Sequence, residues 1–307
     1  MKKFNQGIIL SSLGSFWWGV IGVIYFRSLS FVGPLELVIH RCLWTTIFLL
    51  ITTFFLFKWQ KFLIILKSSK KIFILFLSSI LILTNWSVWI YAVSTNQIIN
   101  ASFGYFIMPI MSVFFGYLFF KEKLNFKIIL SIILVLCSIF YMLYEFKTIP
   151  WIGLTVAISW SLYNVCRKLI KVDTDIGLLV ESFFIFPFAL IALIYLFNIE
   201  VNYFSTNNIS MMFLLVLAGP ITVIPLFLYV KGVELSGLGP TGMIFYITPT
   251  FQFLLGYFYY GEIFSFEKFI SFIIIWIAVL IYLNNLYAVS YTHLRAHETV
   301  LDLVCRL

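Results

Sequence analysis

Ten long apolar runs, separated by short polar connections, constrain this chain more than any other feature of its sequence. They lie near residues 6–26, 33–57, 70–92, 97–120, 126–146, 150–170, 176–198, 209–231, 239–260 and 266–287. A helix needs roughly 20 apolar residues to cross a bilayer. Only 10% of the 307 residues are charged, whereas soluble domains carry about 25%. The sequence therefore predicts an all-α membrane protein with ten transmembrane helices.

Positively charged side chains indicate the orientation of these helices. With the N-terminus in the cytoplasm, the inner connections hold 14 Lys and Arg residues and the outer connections hold 3. Cations accumulate on the cytoplasmic side of membrane proteins, so both termini are expected there. This distribution explains the net charge of +8 without a nucleic-acid partner.

The chain also shows an internal repeat, because residues 105–126 resemble residues 245–266. The matching pairs are Pro109 and Pro249, Gly116 and Gly256, and Glu122 and Glu262 at an offset of 140, and Glu36 and Glu181 at an offset of 145. Five spans per repeat is an odd number, so the second half would enter the membrane with opposite polarity. The sequence thus predicts two inverted five-helix repeats, 1–146 and 147–287, with a solute site between them as in many secondary transporters.

The last twenty residues, 288–307, are excluded from the fold prediction. The apolar pattern stops at Ala288, and the residues that follow, when back-translated, resemble a transposase sequencing adapter read in frame. We interpret this segment as an adapter-derived artefact. The exclusion removes His293, His297 and Cys305. The other cysteines lie in apolar runs without disulfide or metal-site spacing, and the sequence predicts neither a metal nor a cofactor.

Short polar and aromatic motifs are distributed over residues 1–287. They are Glu36 with His40-Arg41-Cys42-Leu43-Trp44, Asn85-Trp86, the segment 101–109, Pro150-Trp151 with Leu162-Tyr163 and Arg167-Lys168, and the segment 246–262. These motifs resemble the RarD branch of the EamA-type drug/metabolite transporters. The resemblance implies ten helices and a central cavity lined by helices 1–4 and 6–9, with helices 5 and 10 peripheral. It also implies export of a metabolite or drug-like compound, without naming one.

Polar and amphipathic groups inside the predicted spans are the candidate solute-binding residues. A charge at the bilayer centre costs about 2.5–3.5 kcal/mol, so such groups usually pair or face a cavity. The candidates are Glu36, His40, Arg41, Asn85, Trp86, Tyr163, Asn164 and Gln252. Glu36 and His40 share a helix face, and with Arg41 they could bind an anionic or amphipathic solute or exchange a proton. The structural alternative is that these side chains reach the membrane interface or hold helices together.

Three further residues are candidates for the transport cycle. Glu181 is the repeat-related carboxylate, either a gate or proton site or an interfacial carboxylate paired with Arg167 or Lys168. Pro109 and Pro249 each remove a backbone donor within a span. They are candidate hinges, and the alternative is that they form static kinks.

The predicted function is that of a secondary transporter, or permease, without enzymatic activity. It would export a small metabolite or drug-like solute across a bacterial inner membrane by alternating access. Energy would come from protons, solute exchange or downhill flux, because the sequence has no Gly-x4-Gly-Lys-Ser/Thr motif for ATP. The expected partners are the solute and the lipid bilayer, with protons and a second copy of the chain as candidates. The alternatives are a non-transporting receptor or scaffold and an intramembrane enzyme.

Overall fold

The structure is a computed structural model that describes residues 2–121, 124–146, 149–170, 172–205, 208–236, 241 and 244–284. Within these ranges the chain is largely helical and contains no β-strand. This agrees with the predicted all-α class. The predicted artefact segment 288–307 and the repeat residue Glu122 lie outside the described residues.

The helices of the first half follow the predicted apolar runs. They are α1 (Lys3–Ser28), α2 (Pro34–Phe55), α3 (Ser69–Ser94), α4 (Ile98–Phe120) and α5 (Phe126–Phe146). A further short helix, Trp59–Leu66, lies between α2 and α3, where the sequence predicted a connection. A π-helical turn, Trp17–Ile21, interrupts α1. Gly33 precedes α2 with a φ of +90°, a conformation that glycine adopts without steric cost. Pro34 then supplies a φ that suits the first helical position.

The helices of the second half repeat this order. They are α6 (Trp151–Ile170), α7 (Thr174–Asn198), α8 (Ile209–Val216 and Ala218–Ser236), α9 (Ile247–Leu254, extended by the π-helical turn Leu255–Tyr259) and α10 (Phe266–Asn284). The break in α8 at Leu217 has a local cause. Pro220 lacks the N–H that would bond to the carbonyl of Val216.

Eight of these helices are long and apolar enough to cross a membrane: α1 to α5, α7, α8 and α10. The predicted spans near 150–170 and 239–260 correspond to α6 and α9, which are outside this set. α6 carries Arg167 and Lys168 in its last turn, and the described α-helical part of α9 has 8 residues. The total of ten membrane spans therefore stays a prediction.

Helices of the first half pack mainly on helices of the second half. The packed pairs are α1 with α8 and α9, α2 with α7 and α8, α3 with α6 and α7, and α4 with α6 and α9. Hydroxyl groups join α5 to α10, because Ser131 donates to the carbonyl of Ala278 at 3.0 Å and Ser138 donates to that of Ser271 at 2.9 Å. The two halves thus share one interior.

Glycine allows the closest of these helix crossings. A Cβ on Gly104 of α4 would overlap the backbone carbonyl of Gly153 in α6, and one on Gly219 of α8 would overlap that of Trp44 in α2. Small residues at such crossings let the backbones of membrane helices approach each other closely. Among the eight apolar helices, α5 and α10 are the least buried, in line with the peripheral positions that the resemblance implies.

Candidate functional site

The candidate site begins in the first turn of α2 with Glu36, whose side chain is buried. Its Oε1 accepts the backbone N–H of Tyr203 at 2.7 Å, and the positive end of the helix dipole favours a carboxylate there. His40 Nε2 lies 3.6 Å from the same Oε1, as the four-residue spacing predicted. This separation is too long for a hydrogen bond, and Nε2 has no hydrogen-bond acceptor among the described residues.

His40 is held in place by aromatic neighbours and is fully buried. Its Nδ1 accepts the indole N–H of Trp44 at 3.2 Å. A ring nitrogen that accepts carries no proton, so in the neutral imidazole the proton is on Nε2. The ring of Phe204 lies 5.0 Å from the His40 ring and 5.9 Å from that of Trp44. The connection between α7 and α8 therefore covers this end of α2.

Arg41 projects into an aromatic cage formed by Phe26 of α1 and by Trp86 and Trp89 of α3. Its guanidinium carbon lies 5.2, 4.5 and 5.4 Å, respectively, from the centroids of these rings, within the range of cation–π attraction. The Nε and Nη1 atoms are buried and have no hydrogen-bond acceptor in the described part of the chain. No carboxylate among those residues forms an ion pair with Arg41. The side chain is a buried cation with unused donors.

Glu181 of α7 is fully buried but has a complete set of partners. It accepts the hydroxyl of Ser78 at 2.5 Å and that of Tyr163 at 3.1 Å, and the Nη1 of Arg167 at 3.4 Å. Arg167 Nη2 also donates to the backbone carbonyls of Val172, Asp173 and Thr174. A Cβ on Gly177 would overlap this guanidinium, so the glycine makes room for it. The network ties α3, α6 and α7 together. It includes the pairing of Glu181 with Arg167, which was one of the two alternatives that the sequence left open for this carboxylate.

Asn85 of α3 is buried and bonds to the two helices beside it. Its Nδ2 donates to the carbonyl of Val156 at 3.1 Å and to the hydroxyl of Ser159 at 3.2 Å. The hydroxyl of Tyr105 donates to its Oδ1 at 3.3 Å. These contacts join α3 to α6 and α4. They agree with the alternative that Asn85 holds neighbouring helices together.

The remaining polar candidates lie in different surroundings. Asn164 is exposed on α6, and within the described residues no hydrogen bond joins it to another candidate. Gln252 of α9 is buried, and its Oε1 has no donor among the described residues. Of the candidates, Glu36 with His40, Arg41 with Trp86, and Tyr163 with Glu181 are therefore in contact.

The two repeat-related prolines differ in their local structure. Pro109 lies inside the continuous helix α4. Pro249 follows a turn at Phe245 and Tyr246, where the N–H of Thr248 donates to the carbonyl of Phe245 at 3.0 Å. Proline cannot make the regular bond to that carbonyl, which explains the break. The chain is thus already interrupted next to Pro249 and uninterrupted at Pro109.

The sequence did not identify a pair of charges around the α3–α4 turn. Arg27 Nη1 donates to the carbonyl of Ser94 at 2.9 Å, at the end of α3. Glu262 accepts the N–H groups of Ile98 and Ile99 at 2.6 and 2.8 Å, at the start of α4. Each charge is opposite to that of the helix end it meets. Burial raises the pKa of Glu262, and the two N–H donors oppose that rise.

Other contributors were also absent from the predicted set. Phe26 and Phe204 gave no sequence signal, whereas Trp89 is three residues from Trp86 and so shares its helix face.

Two ion pairs were also not predicted. Lys58 pairs with Asp175 at 2.5 Å and Lys61 with Asp173 at 2.6 Å. Within the described residues, no group of three His, Cys, Asp or Glu side chains is placed to hold a metal ion.

Comparison with known proteins identifies relatives over nearly the whole chain. A family model described as the EamA-like transporter family matches residues 5–144 and 147–284. Protein RarD of Salmonella typhi is 34% identical over 287 residues, covering 92% of this chain and 96% of the relative. Protein RarD of Escherichia coli is 32% identical over 92% of this chain and 96% of its own length. The protein named uncharacterized transporter YojE of Bacillus subtilis is 36% identical over 91% of this chain and 93% of its own length.

Proposed function

The chain belongs to the EamA-like transporter family, in its RarD branch, and we propose that it is a secondary transporter working by alternating access. It exports a small metabolite or drug-like solute across the bacterial inner membrane. The main support for this proposal comes from α2 and α7, which belong to different halves and pack on each other. Both helices bury ionisable groups, which are Glu36, His40 and Arg41 on α2 and Glu181 on α7. Groups of this kind inside a multi-pass membrane protein usually mark a solute or ion pathway.

The proposed architecture is ten spans in two inverted repeats, 1–146 and 147–287, with both termini in the cytoplasm. The helix packing supports it, because exchanging helix n with helix n+5 reproduces the observed pairs. The pair α1–α8 becomes α6–α3, α2–α8 becomes α7–α3, and α4–α6 becomes α9–α1. The pairs α2–α7, α4–α9 and α5–α10 map onto themselves. Matching helix contacts of this kind are not expected if the two halves have unrelated folds.

The proposed solute site lies beside α2, around Glu36, His40, Arg41 and Trp86, with Gln252 of α9 as a candidate from the second half. Glu181 is the repeat counterpart of Glu36 and holds α3, α6 and α7 together on its side of the interface. Pro109 and Pro249 are the proposed hinges, since α9 is already broken beside Pro249. Proton coupling and a homodimer belong to the same proposal.

Flux through reconstituted vesicles tests this function. Purified protein in liposomes is assayed for uptake and efflux of amino acids, sugar phosphates and amphipathic antibiotics, with and without an imposed pH gradient. We expect saturable flux of at least one class that His40→Ala strongly reduces. The matched control is Asn164→Ala, which alters an exposed candidate and should keep wild-type flux. Absence of flux for every class would favour the receptor or scaffold instead.

A further inference from the structure

We propose that the solute is an organic carboxylate and that Arg41 recognises its negative group, an inference that rests on the proposed transport function. The unused hydrogen-bonding atoms of Arg41 and of the rings that surround it are all donors. They are Arg41 Nε and Nη1, and the indole N–H of Trp89, each buried and without an acceptor in the described part of the chain. A cage whose unused atoms are all donors is completed by a ligand that accepts.

A negative charge is required because Arg41 carries a buried positive one. Burying an ion without a partner is costly. The rings of Phe26, Trp86 and Trp89 offset part of this cost by cation–π attraction, but they supply no lone pair for the N–H groups. The nearby carboxylate of Glu36 accepts the N–H of Tyr203 instead and forms no ion pair with Arg41.

Carboxylate is a group that matches the planar edges of the guanidinium. Each edge, Nε with Nη2 or Nη1 with Nη2, presents two parallel N–H groups, which bind both oxygens of a carboxylate at once. Each of these edges of Arg41 contains one of the unused atoms. The walls around the guanidinium are aromatic, so the body of the solute is expected to be apolar or aromatic. A compact, strongly hydrated inorganic anion would leave these walls without a contact.

Pairs of probes that differ only in charge test the inference. The full-length protein in detergent is titrated with benzoate or benzamide, phenylacetate or phenylacetamide, and indole-3-acetate or indole-3-acetamide. The readouts are the quenching of tryptophan fluorescence and the thermal unfolding midpoint. We expect an acid to bind and to raise the midpoint, while its amide does so at least about 10-fold more weakly, as the loss of a charge-assisted contact predicts.

Three variants assign the effect to Arg41. Arg41→Gln should weaken acid binding by about 10- to 100-fold and abolish the preference for the acid. Arg41→Lys keeps the charge without the planar pair of donors and should retain a reduced preference. Lys61→Gln removes an exposed cation that pairs with Asp173 and should respond as the wild type does.

Equal responses to the acid and the amide in every pair would overturn the inference, as would an undiminished acid preference in Arg41→Gln. The proposed function fails separately, in the vesicle assay. Acid binding that depends on Arg41 without flux of any solute would keep the carboxylate site and remove the transporter. Flux of neutral solutes that is unaffected by Arg41→Gln would keep the transporter and remove the carboxylate site.

Discussion

Arg41 on α2 is buried and Arg167 on α6 is partly buried, but their surroundings differ. Arg167 bonds to the carboxylate of Glu181 and to three backbone carbonyls, and Gly177 leaves space for its guanidinium. Arg41 has aromatic rings around it and no acceptor in the described residues for two of its nitrogens. Both side chains pay the same kind of desolvation cost. The difference is that, within the described residues, only the Arg167 network has an acceptor for its charge.

This contrast separates helix cohesion from solute recognition. The Glu181 network uses its charges to join α3, α6 and α7, so removing one member should weaken the fold. The Arg41 region leaves two donors of its arginine unused inside an aromatic cage, so removing the arginine should affect the solute more than the fold. The carboxylates show the same pattern, since Glu181 has three side-chain donors and Glu36 accepts one backbone N–H from the described residues.

The largest expected effect comes from replacing each arginine with methionine. Arg167→Met leaves the Glu181 carboxylate buried without its cation, which should lower the free energy of unfolding by about 3–5 kcal/mol. Arg41→Met removes a charge that has no counter-ion in the described part of the chain and replaces it with an apolar chain, so the stability should stay within about 1 kcal/mol of wild type or rise. Denaturant unfolding in detergent micelles measures both values.

Two controls accompany this comparison. Gly177→Ala should displace the Arg167 guanidinium and destabilise the protein in the same direction as Arg167→Met. The double variant Arg167→Met/Glu181→Leu should recover part of the loss, because neither buried charge remains. Equal losses for the two arginine variants would contradict the distinction between a structural and a solute-binding arginine.

A smaller effect is expected from changing Glu262 and Glu36 to glutamine. Each oxygen of Glu262 accepts a backbone N–H of α4, and an amide offers only one oxygen. Glu262→Gln should therefore cost about 1.5–3 kcal/mol, the range for hydrogen bonds to charged groups. Glu36→Gln keeps an oxygen for the N–H of Tyr203 and should cost less than about 1 kcal/mol. Thermal and denaturant unfolding give both values, and a larger loss for Glu36→Gln would mean that its charge supports the fold.

The sequence predicted the helices well because the bilayer imposes a simple rule on them. Apolar length alone located α1 to α5, α7, α8 and α10. It also located α6, predicted near 150–170 and found at Trp151–Ile170, although this helix is outside the set that is apolar enough to cross a membrane. Apolar length was less informative for α9, where Pro249 and a turn interrupt the helix. The contact between Glu36 and His40 followed from helical spacing, and the pairing of Glu181 with Arg167 was one of two alternatives.

The site was harder to predict because most of its partners are far apart in the sequence. Phe26 lies over Arg41, and Phe204 packs on His40. Tyr203 donates its N–H to Glu36, and Glu262 meets the start of α4. None of these contacts has a local periodicity, since each depends on how helices of different parts of the chain pack. Gly177 likewise has a role only after Arg167 is placed against α7. Residue type within a span identified the charged candidates, but not which of them have complete partners.

The smallest expected effect distinguishes two asparagines that the sequence could not tell apart. Asn85→Ala removes three hydrogen bonds that join α3 to α6 and α4. Such bonds inside membrane proteins average about 0.6 kcal/mol each, so the loss should be about 1–2 kcal/mol. Asn164 is exposed on α6, and Asn164→Ala should change stability by less than about 0.5 kcal/mol. Denaturant unfolding of both variants, beside vesicle flux, measures the difference. Loss of flux in Asn164→Ala at unchanged stability would place the solute pathway on the outer face of α6, away from Arg41.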